Sequence, residues 1–401
     1  MKQKGLSLCL FILLAMLLTG CWNRRELNDL AIAVAIGIDK DGDLYKVSVQ
    51  VVRPTEIAGK KSGSMSPVTL YQTTGNTILE ALRKMTTVSP RKIYLAHLRI
   101  MVLGESLARE GMEDALDLMS RDPETRSDFY IIIAKKSNAE DTLRILTNLE
   151  KIPAVRLFSS LETSEKAWAP TSTVTLDELV TSLVSHGRQA VLTGIKVQGS
   201  PQIGETNKNV NTVLPPAKLV FSGLSVFRKD KLIGWLSEEE SKAYNYITNH
   251  IDSTVGFVKC PHGGKVSLEI IDSETRVKGS IRDERPQIDI EVKNEINVGE
   301  VQCHIDLTKT ATVTELENLT NLKLEQLIEE TINTVKEKYK VDIFGFGEVI
   351  HRSNPKAWKK LKEDWDKDFI STQVHVKVVS KIRHFGKVSN SFLGEKEELL
   401  E

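Results

Sequence analysis

An apolar run of 13 residues, Leu6 to Leu18, opens this chain and stops just short of a cysteine. A helix that crosses a bilayer takes about 20 apolar residues, so this run is too short to span one. Lys2 and Lys4 precede it. A basic n-region followed by a short apolar h-region is the pattern of an export leader. Residues 1–20 are therefore expected to be a signal peptide that takes no part in the fold. No later stretch approaches 18 consecutive apolar residues, so everything after the leader is expected to fold in water.

The residues that close the run indicate how the leader is processed. Leu18-Thr19-Gly20-Cys21 looks like a lipobox, the sequence at which bacterial lipoprotein precursors are acylated and cut. Cys21 is then the expected lipid-attachment residue, and the membrane the expected site of residence. Two acyl chains on one cysteine anchor stably, whereas one chain holds only marginally, at about 0.8 kcal/mol per buried CH₂. The bland alternative is a plain signal peptide or an uncleaved anchor with Cys21 incidental. The order n-region, h-region, box argues against it.

Charge narrows the partners. Without Lys2 and Lys4 the chain keeps 52 of its 54 basic residues against 54 acidic ones, a net of −2. Nucleic acid as the main partner calls for a basic excess, so none is expected. Of the four cysteines, Cys9 leaves with the leader and Cys21 carries lipid, which leaves Cys260 and Cys303. These read first as free buried thiols, next as a disulfide, and last as a metal site with His262 and His304, whose C-x-H and C-H spacings depart from the usual zinc pairs.

The pattern along the chain predicts an α+β fold of several units, with largely antiparallel sheets and packed helices. Leu30–Asp39 and Tyr45–Val52 alternate around Lys40-Asp41-Gly42-Asp43, the signature of a β-hairpin. Asp39, Asp41 and Asp43 lack the glycine and glutamate that a calcium loop needs. Helices are expected over Asn76–Val88, Glu105–Met119, Asn138–Leu149, from Thr175, from Ser237 to Tyr246, from near Thr314 or Asn321 to Tyr339, and from Asn354 to Asp368. Thr175 with Glu178, and Ser237 with Glu240, form capping boxes. Ile93–Leu103, Phe129–Ala134, Gln189–Val197, Lys218–Arg228, Lys231–Trp235, Val266–Ile271, Glu274–Ile281, Gln287–Val292, Gly299–Leu307 and Thr372–Ile382 read as strands. Gly199, Pro201, Gly204 and Pro215-Pro216 mark a linker. The resulting division is 21–200 as an N-terminal α+β region (one or two subdomains), 201–216 as linker, 217–385 as a C-terminal α+β domain and 386–401 as a charged tail.

No catalytic constellation stands out. G-x-S-x-G, H-E-x-x-H and G-x-x-x-x-G-K-[ST] are all missing from the sequence. Gly345-Phe346-Gly347 lacks the third glycine of a dinucleotide fingerprint. His97 reads as a core or surface histidine rather than a base, and Lys60-Lys61 and Lys359-Lys360 as solvated faces. No cofactor and no metal are expected, and a binding role is favoured over an enzymatic one. Phe344 and Phe346, on a glycine-punctuated backbone, precede a lysine-rich helix with Trp358, Leu361 and Trp365 on one face. These aromatics are either core or, in the sharper reading, a surface that meets a partner.

Several segments resemble a known family. The leader ending in Gly20-Cys21, followed by Trp22-Asn23-Arg24-Arg25-Glu26-Leu27-Asn28-Asp29-Leu30, is similar to the start of the Ger(x)C family. Ala96-His97-Leu98-Arg99, Asp342-Ile343-Phe344-Gly345-Phe346-Gly347 and Pro355-Lys356-Ala357-Trp358 are similar to further family segments. The resemblance covers nearly the whole chain after the leader. It implies the C subunit of a spore germinant receptor, lipid-anchored at Cys21 on the outer face of the inner spore membrane. It implies an A subunit with large soluble parts and a B subunit like an amino-acid transporter as partners, a mixed fold and no catalytic activity. It leaves open whether this subunit binds a small molecule itself. A solute-binding lipoprotein, which needs two similar lobes around a cleft, is the alternative. A surface hydrolase would need a triad or metal site, and no such pattern is present.

Overall fold

The computed structural model describes Gly5 and residues 29–58, 65–260 and 263–386. Cys21, Lys60, Lys61, His262 and the tail from Lys387 lie outside these. The first half builds one large sheet. Its strands are β1 (Leu30–Asp41), β2 (Leu44–Val52), β3 (Val68–Gly75), β4 (Lys92–Tyr94), β5 (Ile100–Gly104), β6 (Tyr130–Ala134), β7 (Val191–Gln198), β8 (Lys218–Arg228) and β9 (Lys231–Trp235). The order is β3-β2-β1-β5-β6-β7-β8-β9, with β4 also beside β1. Antiparallel hairpins at both edges flank a parallel centre of β1, β5, β6 and β7. Central parallel strands are buried on both faces, which is why Ala33-Val34-Ala35-Ile36 and Ile100-Met101-Val102-Leu103 are continuous apolar runs.

Helices cover both faces of this sheet. They are α1 (Pro54–Ala58), α2 (Ile78–Lys84), α3 (Glu105–Glu110), α4 (Glu113–Arg121), α5 (Ala139–Arg144), α6 (Pro153–Ala167) and α7 (Leu176–Val184). Ile36, Ile38, Met101, Leu103 and Ile131 share one core with Ala81, Leu107, Leu116 and Leu179. Ala35, Ile100, Val102 and Ile132 share another with Leu143, Leu157 and Leu161. The predicted helix Glu105–Met119 is two helices, broken at Gly111 with φ 144°. The predicted strand Ile93–Leu103 is also two elements. His97 sits exposed in the turn between them, edge-on to Tyr94.

The stretch 201–216, expected as a linker, is ordered. It holds α8 (Pro201–Gly204) and α9 (Asn207–Val210). Asn209 is buried, donates to the carbonyls of Leu146 and Ala217, and accepts from the Ala217 N–H. Glycine, asparagine and proline here make turns and caps that pack. A cut at this stretch would separate β7 from β8, which pair antiparallel in one sheet.

The second half builds a four-stranded sheet, β10 (Thr254–Lys259), β11 (Lys265–Arg282), β12 (Arg285–Val301) and β13 (Gln373–His384), in that order. The two strands expected at Val266–Ile271 and Glu274–Ile281 fuse into one long β11 that absorbs two bulges in its pairing with β12. Between the sheets and beside the second lie α10 (Glu238–Ile247), α11 (Thr310–Thr334), α12 (Phe346–Ser353), α13 (Pro355–Leu361) and α14 (Trp365–Ser371). A single core spans both halves: Val191, Leu224 and Val226 of the large sheet pack with α10 and with Ile288, Ile290 and Val292 of β12. The sheets differ in size and order, so the chain is an α+β protein without two matching lobes. No helix among the described residues is long and apolar enough to cross a membrane.

Candidate functional site

The segment after α11 ties the two halves together. The helix runs on through a π-helical turn, Val335–Tyr339, and Lys340 ends it in the left-handed region at φ 55°. Asp342 follows, 1% exposed. Its Oδ1 accepts from the N–H groups of Phe344 (3.0 Å) and Gly345 (2.9 Å). Its Oδ2 accepts from the Gly347 N–H (2.8 Å) and the Trp365 indole Nε1 (2.9 Å). Burial pushes this carboxyl up to about 6, while the N–H donors pull the other way. The glycine-punctuated backbone is thus held from its centre. Gly345 takes φ 79°, a conformation that favours glycine.

The same knot grips the first half. The Gln189 N–H donates to the Asp342 carbonyl (2.7 Å), and the Ser185 hydroxyl to the Glu348 carboxylate (2.9 Å). Arg228 donates to the Tyr339 carbonyl, and the Tyr339 hydroxyl to the Trp235 carbonyl. Gly187 and Gly347 meet back to back: a Cβ on Gly347 would lie 2.6 Å from the Gly187 Cα. With four N–H donors on its two oxygens, Asp342 has no open lone pair aimed at a substrate. The arrangement fixes one half against the other.

The four aromatics offered as a partner surface are all inside. Phe344, Phe346, Trp358 and Trp365 are buried. Phe346 stacks on Phe344 at 5.2 Å and tilts against Phe369 at 6.2 Å, while Trp358 meets Trp365 edge-on at 5.3 Å. The partner-surface reading is corrected on this point. The single helix expected over Asn354–Asp368 is broken by a tight turn at Lys362–Asp364, so Trp358 and Leu361 lie on α13 and Trp365 opens α14. Cys260 and Cys303 are also corrected, from free thiols to a disulfide, with Cα atoms 6.5 Å apart across a sequence separation of 43. Among the described residues no group of three or more His, Cys, Asp or Glu could hold a metal ion. The proposed lipid-attachment residue, Cys21, lies outside the described residues.

Comparison with known proteins assigns the family. Residues 23–197 match the model of the spore germination protein N-terminal domain, and residues 222–386 that of the spore germination B3/GerAC-like C-terminal domain. Spore germination protein KC of Bacillus subtilis (strain 168) is 32% identical, over 97% of this chain and 98% of that protein. The chain belongs to the Ger(x)C family of spore germination proteins. Spore germination protein B3 of Bacillus subtilis (strain 168) is 27% identical, over 95% of this chain and 98% of its own length. A crystal structure titled as that of the GerBC protein shares the fold, with a TM-score of 0.53 and 22% identity over 86% of this chain and 96% of that one.

Within this Ger(x)C chain the two family matches meet at the crossover from β7 to β8. The first ends in β7 and the second begins inside β8, so the family boundary falls within a shared sheet. The Asp342–Gly347 segment quoted for the resemblance is the knot itself. The Ala96-His97-Leu98-Arg99 segment is a second junction. Its Arg99 N–H donates to Val34, its Arg99 carbonyl accepts from Tyr130, and its guanidinium lies 5.4 Å from the Phe158 ring centre. Sequence reasoning missed the partners at Ser185, Gly187 and Gln189, which carry no local signature.

Proposed function

We propose that this chain is the C subunit of a nutrient germinant receptor. In this reading it is lipid-anchored through Cys21 on the outer face of the inner spore membrane, assembles with A and B subunits, and catalyses no reaction itself. The observation that carries the reading is the pair of family matches, residues 23–197 and 222–386, the first beginning two residues after the lipobox cysteine. A lipid on Cys21 would sit eight residues before Asp29. At no more than ~3.3–3.6 Å per residue, Asp29 would then lie within about 30 Å of the lipid-bearing cysteine.

The test is Cys21→Ala in a sporulating host fed labelled fatty acid. The reading expects label on the parent chain and none on the variant, with the variant lost from the membrane fraction and nutrient-triggered germination impaired. Label on the variant, or full germination without it, contradicts the anchor.

A further inference from the structure

A groove of about 170 Å³ lies between α10, β10, β11 and α11. Its walls are apolar, formed by Tyr246, Val258, Leu268, Ile270 and Leu324. A cavity of about 150 Å³ with such walls accepts a benzene-sized body, so the groove has room for one ring or a short branched chain.

Among its polar groups are two lysines and an asparagine: Lys242, Lys323 and Asn294. Lys242 is 5% exposed, and its ammonium stands 3.4 Å from the centre of the Trp168 ring. Lys323 is exposed at the mouth of the groove, and its ammonium stands 3.8 Å over Phe257 and donates to the Phe257 carbonyl. Among the described residues neither lysine is ion-paired to a carboxylate. Glu239, exposed at the rim, attracts both from longer range and Glu238 also attracts Lys242, while Lys259 and Lys265 repel Lys323. Burial holds both amines below the usual lysine range. Asn294, 3% exposed, also lines the groove, and its side-chain Oδ1 has no hydrogen-bond partner. The buried Lys242 ammonium has no carboxylate in direct contact, only the exposed Glu238 and Glu239 at longer range, and an orphaned buried amide oxygen is costly. One small molecule can relieve both.

We propose that this groove binds a small amphipathic carboxylate. Its single ring or short branched body lies against Leu268 and Leu324, its carboxylate meets the Lys242 and Lys323 ammonium groups, and a hydroxyl or N–H on the body donates to Asn294. The aromatic rings under the two lysines hold the cations in place without neutralising them, which leaves their charge available to the ligand. This site rests on the fold alone, so binding by the purified chain and assembly with receptor partners are separate readouts.

The probe is 4-hydroxyphenylacetate, titrated calorimetrically into the detergent-purified full chain, beside its neutral amide and the cation tyramine. The expected result is saturable one-to-one binding of the acid, at least tenfold weaker binding of the amide and none of tyramine. Lys242→Gln should weaken the acid at least tenfold, and Leu268→Trp should fill the groove and abolish binding. Equal affinity for acid and amide, or unchanged affinity in Lys242→Gln, overturns the proposal even if Leu268→Trp does not fold. Failure of the acid to saturate overturns it as well.

Discussion

Asp342 and Trp365 are joined by a 2.9 Å hydrogen bond from the indole Nε1 to the carboxylate Oδ2 across 23 residues of chain. The bond closes a loop that contains α12 and α13. It makes the buried aspartate an organiser for the aromatic cluster rather than a reactive group. A buried carboxylate is tolerated when its lone pairs are filled, and here four N–H groups fill them.

The pH dependence of this knot has a definite sign. The unfolded chain binds the Asp342 proton only below its ordinary value of 3.8, whereas the folded chain holds it up to about 6. Between those values the folded state carries the extra proton, so this group favours folding most below 3.8, and its contribution is lost as pH rises through 6. Asp342→Asn cannot titrate. The melting temperature of the parent minus that of the variant should therefore shrink from pH 4 to pH 7, measured by circular dichroism. A difference that stays flat or grows over this range contradicts the assignment.

Gly347→Ala tests the back-to-back contact. The added Cβ would meet the Gly187 Cα at 2.6 Å and the Trp365 Nε1 at 2.7 Å. Overpacking of this kind costs about 1–3 kcal/mol. A chemical-denaturation midpoint equal to the parent's would show that the two backbones do not touch.

Phe346→Ala and Trp358→Ala separate core from surface. Both side chains are buried, so each truncation should cost ~3–5 kcal/mol and lower the melting temperature by several degrees. An unchanged melting temperature with failed partner co-purification would instead place these rings on a surface.

Reduction should weaken the second half. The Cys260–Cys303 bond closes 43 residues, which in the chain-entropy model stabilises by about 4 kcal/mol. Reductant should lower the melting temperature of the parent and leave Cys260→Ser/Cys303→Ser unaffected. Parent and double variant responding alike would mean the bond is absent in solution.

A protease offers a check on the crossover. Val213 and Leu214 are fully or largely exposed, so cleavage there is expected. The β7–β8 pairing and the shared core should nevertheless keep the pieces together in native gel filtration. Two species eluting apart would restore the linker reading.

Local signals were legible in the sequence where residues close on their own neighbours. The β1–β2 hairpin forms around its turn as the sequence predicts, although β1 is buried on both faces rather than alternating. The boxes of Thr175 with Glu178 and Ser237 with Glu240 form as their spacing predicts. Signals failed where a distant partner decides. Gly199 to Pro216 has linker composition, yet Asn209 finds Leu146, 63 residues away. The Phe-Gly-Phe-Gly stretch has flexible composition, yet Asp342 and Gly187 lock it. Cys260 and Cys303 gave no spacing clue because β-sheet pairing, not sequence proximity, brings them together. The Lys242–Trp168 contact was equally invisible, since it joins residues far apart in the chain with no local signature.

The receptor-subunit account is tested most directly by its partners. Affinity purification of the tagged chain from spore membranes in mild detergent, followed by mass spectrometry, should recover two proteins in near-equal amounts. One should carry large soluble regions and the other a run of membrane spans like an amino-acid transporter. Recovery of the chain alone, or of unrelated proteins only, would contradict the account.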